Sequence, residues 1–366
     1  MKRTSLPTAA LCLAAVTPAA HGTERAYSLS GGITFTAQHV DDDRVDAEGL
    51  ASGDLFVTAP FLGGDWTLHF EGSVTPETGR VASVVGEANT DAGTVRSPGR
   101  RGNAQISEIR YERRLAGGRT LTLGMLETAA WFDSAATAID ENAQFMGLSF
   151  KHNLTIEFPD YTLGAVYQHP LSADGAELRV GLSSSHGLAD NPGASYAQAL
   201  DINGDDKGAF AIAAALWPAG AWRGELGAWT HTAPHHALDG GPGEKHNYGA
   251  YLVLGREWDD HAFDVRLGRA NPEVFEAEAF VALTWEWRRP EAIYGVGAAR
   301  TFLADDAAGP GRDDMSQYEI YARFRLTDGL ELTPHIQRVD NSGFDSSGAA
   351  FARSLNVIGL RLAWSR

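Results

Sequence analysis

The sequence predicts an all-β fold: sixteen antiparallel strands closed into a transmembrane barrel, with long outer loops at one end and short periplasmic turns at the other. Three observations predict it. Hydrophobic residues alternate with period two, long and short connectors alternate along the chain, and no mature segment could form a spanning helix. The longest apolar candidate, GAFAIAAALWPAGAW over 208–222, falls short of the ~20 residues a spanning helix needs and is broken by Pro218 and Gly220. A chain of this kind crosses a bilayer only as a closed barrel, because every main-chain polar group must then find a partner.

The elements follow in order. The opening MKRTSLPTAALCLAAVTPAAHG has a basic start at Lys2 and Arg3, a short apolar core from Thr8 to Val16, and small residues before position 22. It reads as a signal peptide over 1–22, leaving 23–366 as one barrel domain. Alternating runs then fall near 27–39, 50–59, 65–74, 104–115, 119–128, 161–169, 176–184 and 208–217. The second half adds 221–231, 246–257, 260–269, 277–288, 292–302, 316–327, 329–338 and 353–364. In the third run Trp66, Leu68 and Phe70 point one way while Thr67, His69 and Glu71 point the other. In the fourteenth, Tyr318, Ile320, Ala322, Phe324 and Leu326 oppose Glu319, Tyr321, Arg323 and Arg325.

Connectors after even-numbered runs are short turns such as FLGGD, AGG, PAG and DG. Most connectors after odd-numbered runs are long, polar and rich in Gly, Asp and Pro. A sixteen-stranded barrel encloses water, so the polar faces are expected inward and the apolar faces outward. Trp217, Trp222, Trp285, Trp287 and Trp364 stand beside short turns or the C-terminus, as an interfacial aromatic belt requires.

Composition narrows the partners. The formal charge is −17; without Lys2 and Arg3 the 30 basic residues fall to 28 against 47 acidic, or about −19. Nucleic acid is thereby excluded as a partner. Cys12, the only cysteine, lies in the signal peptide, so the mature chain has no disulfide.

The segment QYEIYARFRLTDGLELTPHIQRVDNSGF over 317–344 resembles the C-terminal signature of the carbohydrate-selective porins of the OprB type. NYGAYLVLGREW (247–258), FDVRLGRA (263–270), IEFPDYTLGAVY (156–167), Phe132-Asp133 and Gln144-Phe145 are similar to that family too, in order through roughly 105–366. The resemblance implies passive or facilitated diffusion of small hydrophilic solutes, sugars foremost, through a weak-binding constriction in the bacterial outer membrane. A porin for organic acids or other small nutrients is the alternative; a non-conducting structural or adhesive barrel is the rival of another class. Lipid and lipopolysaccharide are the expected surroundings, and the chain is expected to be a monomer or a homotrimer.

The resemblance also implies that the third long connector, 129–160, folds into the barrel and narrows it. Asp133, Asp140 and Glu141 are then expected in the pore. Opposite them would stand Arg110, Arg114, Arg266, Arg323, Arg325 and Arg361, a transverse field that orients polar solutes. Trp131, Phe132, Trp229 and Tyr321 offer flat surfaces for sugar rings, with packing of the loop against the wall as the competing role for Phe132. No cofactor or catalytic residue is expected. SSSH over 183–186 lacks a nucleophile-elbow context. DINGDD over 201–206 opens like a calcium loop but has Asp206 where glycine is needed and Ile212 where the bidentate glutamate belongs. His231, His235, His236 and His246 cluster near one outer loop at loose spacing, so no metal site is assigned.

Overall fold

A computed structural model describes residues 27–74, 76–91, 102–188, 196–199, 207–307, 313–342 and 354–366. The expected signal peptide and the DINGDD motif lie outside the described residues. The described residues form sixteen strands, each hydrogen-bonded to its sequence neighbours, with the first and last paired to close the barrel. These are β1 (Ser28–Val40), β2 (Glu48–Phe61), β3 (Gly64–Val74), β4 (Gly102–Arg114), β5 (Thr120–Leu126) and β6 (Thr162–Pro170). Then come β7 (Glu177–Ser184), β8 (Ala209–Ala219), β9 (Trp222–His236), β10 (Glu244–Trp258) and β11 (His261–Ala270). The last five are β12 (Ala277–Arg288), β13 (Ala292–Leu303), β14 (Met315–Thr327), β15 (Leu330–Asp340) and β16 (Ser354–Ser365).

Closure runs in register from Gly32↔Ser365 to Val40↔Val357, and two main-chain bonds between Gly31 and Arg366 extend it. The Leu62-Gly63 turn joining β2 to β3 has positive φ at both residues, matching the right-handed twist of its strands. Leu62 is an unusual residue for that conformation; it projects from the turn at 75% exposure.

The faces are inverted relative to a soluble barrel. Phe35, Trp66, Phe70, Leu226, Leu283, Ile320, Ile336 and Ile358 are exposed on the outer wall, whereas Thr67, Glu71, Asp264, Glu286, Glu319 and Arg361 are buried inside. Aromatics gather on the outer wall beside the short turns, with ring pairs Trp66–Tyr111, Trp287–Tyr294 and Tyr294–Phe324 within 6.3 Å. Arg289 lies over Trp287 at 4.4 Å and Arg256 over Trp222 and Trp258.

Two strands depart from the sequence expectation in ways that shape the interior. β5 ends at Leu126 because the chain turns inward there, and the Glu127 N–H donates to Glu108 Oε1 at 3.1 Å. β9 continues to His236 because the period-two pattern persists past 231, which keeps His231, Ala233 and His235 on one inward row.

Candidate pore constriction

The connector between β5 and β6 lies inside the barrel, moored by its main chain. Wall carboxylates take its N–H groups. Glu225 on β9 accepts from Asp133 N (2.9 Å) and Ser134 N (3.0 Å), and Asp264 on β11 accepts from Ala136 N and Thr137 N, both at 2.9 Å. Glu319 on β14 accepts from Met146 N (3.0 Å) and Gly147 N (2.8 Å). Wall arginines take its carbonyls. Arg266 donates to Phe150 O and Asp133 O, and Arg361 to Glu141 O and Gln144 O. Arg179, Arg223 and Arg288 reach Trp131 O, Ser134 O and Ala136 O.

Apolar packing sits beneath this polar frame. Phe132, Phe145 and Phe150 join Phe210, Trp229, Tyr251, Phe280 and Tyr321 of the wall in one buried cluster. Inward glycines make room for it. A Cβ at Gly297 would lie 2.7 Å from the Phe150 ring, and one at Gly181 would lie 3.0 Å from Phe132. Asn142, at the far side of the loop, accepts a bond from Thr34 of β1 at 2.8 Å, so the loop crosses the lumen.

Several expected positions are corrected. Asp133 does not face the pore: it is 3% exposed, paired with Arg266 at 3.3 Å, and accepts from Asn153 N. Its φ of +57° turns the loop under itself. Arg266 and Arg361 are buried as moorings, since guanidinium donors match carbonyl oxygens that the loop leaves unpaired. Phe132, Trp229 and Tyr321 are likewise buried by the loop and are unavailable to a sugar ring; Trp131 is 9% exposed, under the Arg110 guanidinium at 5.4 Å. Arg114 and Arg325 are exposed at the short-turn ends of β4 and β14, and Arg323 pairs with Glu331 at 3.4 Å.

Asp140, Glu141 and Arg110 remain on the open side. Asp140 is exposed and caps its own turn by accepting from Asn142 N at 2.9 Å. Glu141 pairs with Lys151 at 2.5 Å. Arg110 pairs with Glu108 at 2.8 Å. Around them stand groups that sequence reasoning did not single out: Asp54, Glu71, Asp91, Glu108 and Glu127. Burial pushes the Glu127 carboxyl up to about 7 against the pull of Lys151, and Glu141, Glu108 and Glu71 raise it further. Burial likewise pushes Asp91 up to about 7, opposed by the Ser52 hydroxyl and helped by Glu141, Asp54 and Glu71. Hydrogen bonds set these groups side by side along β2–β5: His69 reaches Asp54 at 2.8 Å, Ser107 donates to Glu71 at 2.6 Å, Ser52 donates to Asp91, and the Glu127 N–H donates to Glu108; this wall borders the loop as the throat.

A second insertion went unforeseen. The segment after β3, with the short helix α1 (Val81–Val84), packs Val81, Val84, Val85 and Ala88 against Val339, Leu355 and Val357. Gln317 and Gln337 donate to Glu87 O and Ala88 O, both at 2.8 Å, and Thr90 N donates to Met146 O at 3.0 Å, which joins the two inserted loops. The apolar residues in a mostly polar connector, VASVV over 81–85, were the signal available.

No protein-family model and no curated protein matches the chain. Solved structures do. The chain is similar to OprB of Pseudomonas putida in its high-pH structure, with a TM-score of 0.71 and 13% identity over 93% of this chain and 94% of that one. A mutant of the porin of Rh. blastica aligns at TM-score 0.57 and 15% identity over 93% and 100%. A loop-deletion mutant of OmpT, an outer membrane protein of Vibrio cholerae, aligns at 0.58 and 9% over 93% and 99%. The fold is that of the sixteen-stranded porins.

Proposed function

We propose, proceeding from that porin fold, that the chain is an outer-membrane channel through which small hydrophilic solutes diffuse, with sugars as the preferred class. One observation carries the reading: the faces are inverted around a lumen that the third long loop crosses without detaching from the wall. An apolar exterior needs lipid, and a polar interior lined with charged groups needs water. A structural barrel would have no use for a loop moored by so many wall side chains across its interior.

The throat argues for solute class. Glu108 and Glu141 pair there with Arg110 and Lys151, the Glu127 N–H donates to Glu108, and Asp54 and Glu71 stand on the adjoining wall. An excess of carboxylates in a narrow aqueous passage repels organic acids and tolerates neutral polyols. Weak binding suffices for transit; a millimolar site corresponds to only about −4 kcal/mol. The resemblance to carbohydrate-selective porins points the same way. The loop itself, 129–160, is proposed as the selectivity element, and lipid and lipopolysaccharide as the partners of the outer wall.

An enzymatic reading finds little support. Ser185 Oγ and His186 Nδ1 meet at 3.0 Å, but Ser185 is 4% exposed and its oxygen already accepts from Gly208 N at 2.8 Å. A nucleophile needs a free approach to substrate.

Planar-bilayer recording tests the proposal. Discrete conductance steps that maltose or glucose block, and that an organic acid leaves unchanged, are expected. Absence of steps would refute the channel, and block by the acid alone would transfer the site to the organic-acid alternative.

A further inference from the structure

At the long-loop end of the barrel, a cavity of 340 Å³ lies between the end of the inserted loop and β9. Glu157 of the loop meets His231 and His235 of β9 there, with ligand atoms of all three within 4.8 Å of one another. The two histidines share the inward row described above, so their spacing follows from strand geometry. The third member comes from a connector far away in sequence, so histidine spacing alone does not reveal the group.

Hydrogen bonds fix what each ring presents. His235 Nδ1 lies 2.8 Å from the Ala233 carbonyl oxygen, which can only accept, so that nitrogen carries the proton. Its Nε2 then faces Glu157, 3.0 Å from both carboxylate oxygens. At hydrogen-bond distance Nε2 shares a proton with the carboxylate, and a bound metal ion would displace that proton. A proton would satisfy this pair alone. His231 Nε2 is spent on the Ser185 carbonyl at 3.1 Å, and its Nδ1 is buried with no partner among the described residues. His231 is 4% exposed, so water does not serve that nitrogen freely. Asn247, fully buried, donates to Glu157 Oε2 at 2.8 Å and holds the carboxylate in place.

We propose that Glu157, His231 and His235 form a site for a divalent transition metal of the zinc class. Two imidazole nitrogens and one carboxylate are a donor set that zinc takes with a fourth, open position, and the neighbouring cavity leaves room for water there. Bonds of about 2.0–2.1 Å need donors roughly 3.4 Å apart, so on binding the His235–Glu157 pair, at 3.0 Å, opens slightly while His231 closes from within 4.8 Å. The carbonyls behind His231 and His235 and the amide behind Glu157 are the outer partners that orient metal ligands. The bound ion would tie the end of the pore loop to the barrel wall.

The test uses the untagged full-length barrel refolded in detergent, titrated with zinc chloride by calorimetry and with cobalt(II) by visible absorption. One equivalent and a tetrahedral cobalt spectrum are expected. The double variant His231→Ala/His235→Ala should lose that equivalent. Asn247→Ala should weaken binding roughly 10-fold, the scale on which outer partners act. X-ray absorption at the zinc edge of the wild type should read two nitrogens and a carboxylate, which needs no variant to fold. A flat titration, or unchanged binding in the double variant, would overturn the site; the latter would assign the metal to His186, His236 or His246 instead.

Discussion

Replacing Asp264 with alanine isolates the mooring of the pore loop from the integrity of the barrel. The Asp264 carboxylate is fully buried and accepts from Ala136 N, Thr137 N and Thr137 Oγ1 at 2.9, 2.9 and 2.7 Å, while Arg223 pairs with it at 2.5 Å. Removing one side of a buried charged network costs about 3–5 kcal/mol. The cost falls on the loop, because β11 keeps its main-chain pairing with β10 and β12. At every 1.4 kcal/mol per tenfold, about 4 kcal/mol shifts the held-to-released ratio of segment 133–137 roughly a thousandfold. Single-channel recording of Asp264→Ala should therefore show larger unit conductance and greater open-channel noise, with normal strand content by circular dichroism. Asp264→Asn keeps one oxygen for the loop donors but turns an NH2 toward the Arg223 guanidinium, so it should lose about 1.5–3 kcal/mol and give conductance and noise between wild type and Asp264→Ala. If Asp264→Ala conducts like the wild type with no added noise, the wall carboxylates do not hold the loop and the reasoning fails.

Four further outcomes are expected. Reversing charge at Asp140 and Glu141 to lysine should move the reversal potential toward anions, since both lie on the loop's open side; the same change at Asp133 should instead disorder the loop, read as noise. Glu127 and Asp91, held near 7, shed protons as pH climbs from about 6 to 8, so cation preference should increase over that window and flatten in Glu127→Gln/Asp91→Asn. The same groups bind protons more tightly folded than unfolded, so their contribution to loop stability is full below the usual carboxylate range and is lost as pH passes about 7. Trp229→Ala should weaken loop packing by about 3–5 kcal/mol and leave maltose block in place, because the ring is buried and meets no solute; loss of block with normal stability would restore its role in stacking.

The barrel was legible because lipid outside and water inside impose period two on every strand, and because turns and loops segregate to opposite ends. Strand ends were less so: β9 outran its predicted limit since the outward-facing residues there, Thr232, Pro234 and His236, carry no strong apolar signal. The constriction was legible in part. The third loop's insertion was implied by the resemblance to porins, but the sequence does not say which charged residues a loop will bury. Asp133 and Asp140 look alike in the sequence, yet one closes on Arg266 and the other faces the lumen. Asp54, Glu71 and Glu108 were overlooked because they occupy ordinary inward strand positions, and only the loop's placement turns that wall into a throat.

The moorings of the loop grip its peptide groups and ignore most of its side chains. Wall arginines hold carbonyls, and wall carboxylates hold N–H groups. A peptide group is the same whichever residue carries it. Ile139 and Glu141, whose side chains make no bond to the wall among the described residues, can therefore change without loosening the frame, whereas Asp140 and Asn142 keep the turn and the bond to Thr34. A barrel built this way can be re-targeted to new solutes by local changes in one short segment while the wall stays untouched.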